Sequence, residues 1–151
     1  ALFYNKSTVA TPPATTADLL ALAGQGLPPE ARPAYAEAPT LRAIPGPQDD
    51  YFTAEALATF FASEYVISTT ADRMGYRLQG PRLAHRGAAE IISAGVVSGS
   101  VQIPADGQPI VLMADHQTSG GYPVIATVVS ADIPLLAQCL PGSRLRFVPL
   151  E

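Results

Sequence analysis

The sequence predicts a mainly β domain, closed into a barrel or packed as a sandwich, with two or three short helices. Three observations predict it. Short runs rich in Val, Ile, Leu, Thr and Tyr recur from residue 40 to the C-terminus. Turn formers separate them, at Pro45-Gly46-Pro47, Gly95, Gly99, Gly107, Gly120-Gly121 and Pro141-Gly142. Few segments carry the helical period. Many short strands joined by tight turns bury one continuous core when the sheet closes or doubles over.

The elements follow in order. Thr40 to Ile44 reads as a strand, ended by Pro45-Gly46-Pro47. Thr53 is placed to cap a helix running to Ala62, with Leu57, Phe60 and Phe61 on one face. Strands are expected at Tyr65 to Thr69, Tyr76 to Gln79, Glu90 to Ser93, Ser100 to Ile103, Pro109 to Ala114 and Val124 to Val129. Asp132 is expected to cap a helix through Leu140, stopped by Pro141-Gly142, and Arg144 to Val148 closes the chain as a strand. The runs Ile110-Val111-Leu112-Met113 and Val124 to Val129 are apolar on both faces, which places them centrally or at a subunit contact.

Residues 1–39 have a different texture. Pro12, Pro13, Pro28, Pro29, Pro33 and Pro39 interrupt Ala- and Thr-rich sequence, the pattern of a linker or a segment wrapping a surface. One short helix fits inside it, capped by Thr16 and ended near Gly24. The domain proper is expected over residues 40–151. The chain begins Ala1-Leu2-Phe3 without an initiating Met, from which a trimmed chain, a proteolytic product or a missing N-terminal part is expected.

Composition excludes several classes. Hydrophobic residues make up 48% and charged residues 15%, too apolar for a disordered chain. The net charge of −4 and the lack of a basic run argue against nucleic acid; Arg82, His85 and Arg86 fit a solvated loop. No apolar run approaches the roughly 20 residues that span a bilayer. With one cysteine, Cys139, no disulfide can form within the chain. A reducing, cytoplasmic setting and a buried structural thiol are expected.

The densest chemistry lies in Asp106 to Pro123. An apolar strand leads into Asp115, His116, Gln117, Thr118, Ser119, Gly120, Gly121 and Tyr122. A carboxylate at the end of an apolar run needs a partner. Gln117 offers a donor and an acceptor, and glycine backbone lets a ligand approach closely. A site for a small polar amide or carboxylate would be built this way, and so would a tight hairpin; spacing alone leaves both open. A second cluster, Asp72-Arg73-Met74-Gly75-Tyr76-Arg77, could grip a carboxylate through arginine, although a surface ion pair accounts for it more simply. His85 and His116 stand alone, without cysteine partners, so no metal site is expected. No nucleophile elbow, phosphate-binding loop or dinucleotide fingerprint occurs.

Four ordered motifs resemble a known family: Asp72-Arg73-Met74-Gly75-Tyr76-Arg77-Leu78, Gly99-Ser100-Val101-Gln102-Ile103-Pro104, Asp106-Gly107-Gln108-Pro109-Ile110 and Gln117-Thr118-Ser119-Gly120-Gly121-Tyr122-Pro123. Together with Pro45-Gly46-Pro47-Gln48-Asp49 they are similar to the C subunit of 5-oxoprolinase, a family also called allophanate hydrolase subunit 2 or biotin-dependent carboxyltransferase, from about residue 40 to the C-terminus. The resemblance implies a cyclophilin-like β-barrel and members roughly twice this long, whose N-terminal half would be the rest of the protein or a separate chain.

It also implies an enzyme subunit acting on an amide, this part alone being inactive. With an allophanate hydrolase subunit 1-like partner and a third subunit, such members open 5-oxoproline to glutamate using ATP. The alternative is carboxyl transfer from biotin, carried on a partner protein, to urea or a related amide; Lys6, the one lysine, lies outside any biotin-acceptor context. A third possibility is a non-catalytic subunit that regulates by binding a partner. By the same resemblance Asp115 is the catalytic or substrate-holding residue, and Gln117, Thr118, Gly120, Gly121, Tyr122 and Arg73 bind substrate. The chain departs from the family pattern at Ala94, His116, Ser119 and Val124.

Overall fold

The computed structural model describes residues 35–150. The expected linker lies mostly outside that range, and the helix expected at Thr16 lies wholly outside it. The first described residues, 35–39, belong to no helix or strand.

The mainly β barrel is what the structure holds. The elements are β1 (Thr40–Pro45), a single 3-10 turn (Asp49–Tyr51), α1 (Ala54–Ala62), β2 (Glu64–Ile67), β3 (Gly75–Gln79), β4 (Ala94–Gly95), β5 (Ser100–Gln102), β6 (Ile110–Leu112), β7 (Ser119–Gly120), β8 (Val124–Val128), α2 (Ile133–Ala137) and β9 (Arg144–Pro149). Seven strands close in the order β1-β8-β5-β6-β3-β2-β9. β9 returns to β1 in parallel, Leu41 opposite Phe147, and the other neighbours are antiparallel. β4 and β7 form a separate two-stranded sheet, Ala94 opposite Gly120.

Period-2 alternation fills the barrel. Leu41 and Ala43 of β1, Tyr65 and Ile67 of β2, and Leu145 and Phe147 of β9 point inward and are buried, while their neighbours face outward. β5 and β8 depart from alternation, with Val124, Ile125, Ala126 and Val128 all buried. That continuous burial is what an apolar run covered on both faces predicts. α1 closes one side: Phe60 stacks on Phe147 with ring centroids 4.5 Å apart and meets the edge of Phe61 at 4.9 Å.

α1 starts where its cap predicts, since Thr53 Oγ1 accepts from the Ala56 N–H at 3.1 Å. α2 is shorter than the Asp132-to-Leu140 span expected. Asp132 makes no capping bond; its carboxylate accepts instead from Arg42 N at 2.8 Å, Nε at 3.0 Å and Nη2 at 2.6 Å. The far end tightens into a three-residue turn, Cys139 N–H donating to Leu136 O, and the chain leaves through Gly142 at φ +89°. A side chain there would be strained.

The strand expected at Glu90 to Ser93 does not form. Only Ile91 of that segment bonds across, its N–H to Gly121 O at 2.8 Å, and the ladder begins at Ala94. Cys139 is buried, as expected, with its thiol donating to Leu135 O. No helix of the described residues is long and apolar enough to cross a membrane.

Candidate functional site

β6 runs through the barrel wall and delivers Met113, which is buried, into a turn at Ala114 and Asp115. The sequence asked for a partner for the carboxylate at that point, and the structure supplies one while leaving the Asp115 side chain 51% exposed. Its charge is met by Arg73, whose Nε donates to Oδ2 at 2.6 Å and Nη2 to Oδ1 at 3.1 Å. Asp115 N–H also donates to Arg73 O, and Met113 N–H to Met74 O, so two loops are stitched together. The Arg73 hydrogen bonds hold the Asp115 carboxyl below the ordinary carboxylate range. Arg73 and Asp115 thus answer each other, and neither lines the neighbouring cavity.

That cavity, about 180 Å³, opens beside them. β3 contributes Gly75 and Arg77, β5 contributes Gln102, β6 contributes Ile110 and Leu112, and the loops add Asp72, Met74, Gln117 and Tyr122. Of the expected site residues, the structure brings Gln117 and Tyr122 to this wall. Asp115 and Arg73 stand just outside it, though Arg73 sits between two lining residues, Asp72 and Met74. Asp72 is fixed as a loop anchor, its Oδ1 accepting from Met74 N and Gly75 N. Among the described residues no carboxylate pairs with Arg77.

Thr118, Gly120 and Gly121 have backbone duties. Thr118 O accepts from Val96 N and Gly121 O from Ile91 N, and Gly120 pairs with Ala94. The double glycine was expected to ease a turn, yet positive φ is found at Gly99, Gly107 and Gly142 and not at Gly120 or Gly121. The reason for Gly120 is proximity: a Cβ there would lie 2.4 Å from Gln102 Nε2.

Gln102 is the residue that sequence reasoning missed. It is buried at 2% exposure, lines the cavity, and donates from Nε2 to Tyr122 O at 3.4 Å. The sequence carried a signal. A glutamine between Val101 and Ile103, inside an apolar strand, is a buried amide that must find partners.

His116 lies with its Nδ1 against the carbonyl of Gln117, and His85 Nε2 is bonded to Ile103 O with its ring on Phe52. Both are held by backbone. No cluster of three or more metal-binding side chains occurs among the described residues. A pocket of amide, guanidinium and phenol groups with small apolar walls can hold a small planar polar molecule through directed hydrogen bonds.

Comparison with known proteins adds the family context. A family model described as carboxyltransferase domain, subdomain A and B, matches residues 5–149, so the match reaches into the proline-rich segment. The C subunit of the Escherichia coli K12 5-oxoprolinase is 45% identical over 108 residues, 72% of this chain and 35% of that protein. A putative urea carboxylase of Emericella nidulans is 30% identical over 153 residues, covering 88% of this chain and 12% of that protein. The Kluyveromyces lactis urea carboxylase crystal structure superposes with a TM-score of 0.73 at 22% identity, over 80% of this chain and 12% of that one, a likeness of fold. The 108 matched residues make up about a third of the Escherichia coli relative, so that protein is about twice as long as this chain of 151 residues, in line with the length the resemblance implied.

Proposed function

The chain belongs to the carboxyltransferase family of subdomains A and B, and we propose that it is part of the C subunit of a 5-oxoprolinase and binds the amide-bearing substrate. One observation carries this reading: the cavity combines an arginine without a carboxylate partner among the described residues, Arg77, with two side-chain amides, Gln102 and Gln117. 5-Oxoproline presents a ring amide and a carboxylate. The amides suit the first, and a guanidinium suits the second. Urea has no carboxylate for Arg77 to meet. The 45% identity to the Escherichia coli 5-oxoprolinase component supports the same assignment.

Asp115 acts from the rim in this reading. Its carboxylate leaves Arg73 to accept from substrate, while Tyr122 lays a flat face with a hydroxyl beside the ring. ATP would be consumed by the assembled enzyme, and no group of this chain is assigned to it. The rest of the protein and an allophanate hydrolase subunit 1-like partner would complete the site.

A second reading, carboxyl transfer to urea from biotin on a partner protein, draws on the 30% identity to the Emericella nidulans protein. One experiment separates the two. The full-length protein is assembled with its partner subunits and supplied with ATP and 5-oxoproline, and glutamate is measured. ATP-dependent glutamate release is expected. No glutamate, together with urea-dependent decay of carboxybiotin, would give the assignment to the second reading.

A further inference from the structure

Gln102 sits at the junction of three strands. Val101 beside it pairs with Val111 of β6 and Ala126 of β8, and Gln102 itself pairs with Ile110 and Val124 across an irregularity in the β5–β8 ladder. Its backbone is therefore fixed by the barrel. Its side chain, though 2% exposed, reaches the cavity wall.

The amide is held in one orientation. Nε2 faces the Tyr122 carbonyl, which can only accept, so the nitrogen must be on that side. Gly120 packs against the same nitrogen: a Cβ would stand 2.4 Å from Nε2 but 3.5 Å from Oε1. The oxygen points away from this clamp. Among the described residues no donor reaches Oε1. Nor is Oε1 sealed from solvent, because Tyr65 Oη is the one side-chain polar atom both sealed and unpartnered among them. Gln102 lines a small polar cavity with one of its two N–H groups engaged and its oxygen without a partner among the described residues, which leaves an acceptor for an incoming N–H.

We infer that Gln102 is the specificity-determining residue of this cavity: its Oε1 accepts from the N–H of a lactam or carboxamide ligand, and Gly120 with the Tyr122 carbonyl orients it. This rests on the reading of the cavity as an amide site and extends it to one atom. The chemistry selects against isosteres. An ester or lactone places an oxygen lone pair where the N–H would be, leaving Oε1 unpaired against a second acceptor. Sites built to hydrogen-bond a ligand reject analogues that lack the donor far more strongly than apolar pockets reject a change of size.

The test uses two small probes of equal shape, 2-pyrrolidinone and γ-butyrolactone, titrated into the full-length protein, with Kd read from chemical-shift changes. The wild type should prefer the lactam by roughly 10-fold. Gln102→Met, close in volume and without the strong acceptor, should bind both probes equally. Gly120→Ala keeps the glutamine but pushes its amide aside, and should also erode the preference, which settles the matter if Gln102→Met does not fold. Equal binding of the probes by the wild type, binding of neither, or an undiminished preference in a folded Gln102→Met protein would overturn the assignment. A protein that prefers the lactam through Gln102 yet yields no glutamate from 5-oxoproline keeps this inference and loses the functional reading above.

Discussion

Arg73 and Asp115 form a bidentate ion pair across two loops, at 2.6 and 3.1 Å, with both side chains more than half exposed. An exposed pair of this kind adds little to stability because water screens it and the long arginine side chain loses freedom to make it. It does keep the carboxylate ionised and aimed. Asp115→Asn should therefore leave Tm essentially unchanged while lowering kcat/KM of the assembled enzyme at least ~10-fold. An unaltered rate would assign Asp115 to the hairpin alone.

Arg73→Gln separates the roles further. With the guanidinium gone, the Asp115 carboxyl loses the hydrogen bonds that lower its pKa, and its titration moves up toward the ordinary range. The acid limb of the pH–rate profile should shift upward with it, while Asp115→Asn should abolish that limb. A profile identical in all three proteins would show that the carboxylate takes no part in the rate.

Sequence reading reached the barrel because its strands obey simple periods. Thr40–Pro45 and Arg144–Pro149 alternate, and Val124–Val128 is apolar throughout. The Thr53 helix was legible from a local signal, a cap three residues before the amide it accepts from. Asp132 misled for the opposite reason. Its partner, Arg42, lies 90 residues away, and a long-range ion pair overrode a local capping rule. The site was half legible. Gln117 and Tyr122 sit in one motif, but the cavity needs Gln102 and Arg77 from other strands, and their meeting depends on register. Asp115 follows the apolar run of β6, yet the turn after that strand leaves its side chain half exposed.

The Tyr65 hydroxyl is buried without a partner, and burial drives its pKa above the ordinary phenol range. Its ring is well used, packed on Phe60 and Phe147. Tyr65→Phe keeps the packing and removes the stranded hydroxyl, so it should raise stability by about 1 kcal/mol, seen as a higher urea midpoint at unchanged m-value. Gly80→Ala should do the reverse. A Cβ there would meet the Tyr65 ring at 2.4 Å, and overpacking of a rigid ring costs about 1–3 kcal/mol. Tyr65→Phe proving destabilising would mean that the hydroxyl has a partner.

Cys139 is 8% exposed and desolvation pushes its thiol pKa up. Thiolate is the reacting form, so alkylation by iodoacetamide at neutral pH should be slow in the folded protein and fast in concentrated urea. Fast labelling without denaturant would show that the α2 end opens locally.

The longest-range side-chain hydrogen bonds among the described residues give the last prediction. Arg42 on β1 supplies three donors, one backbone and two side-chain, to the buried Asp132 carboxylate at the start of α2. The hydrogen bond from the Arg42 side chain is the main cause of a lowered Asp132 pKa, offset in part by desolvation. A carboxyl whose folded pKa lies below its unfolded value, near 3.9, adds stability at pH values above that unfolded value. The contribution is lost as pH falls through the lower folded pKa, because the folded state must then take up the proton as well. Urea melts of the wild type should weaken as the pH drops below about 4. Asp132→Asn should be less stable at pH 7 by about 1–3 kcal/mol and should lose less between pH 5 and pH 3. Arg42→Met should act in the same direction, leaving a buried carboxylate to face its desolvation with only a backbone donor. Equal acid sensitivity in the wild type and Asp132→Asn would place the acid-labile contact at another carboxylate, with Glu64, paired to Arg144 and Arg146, next in line.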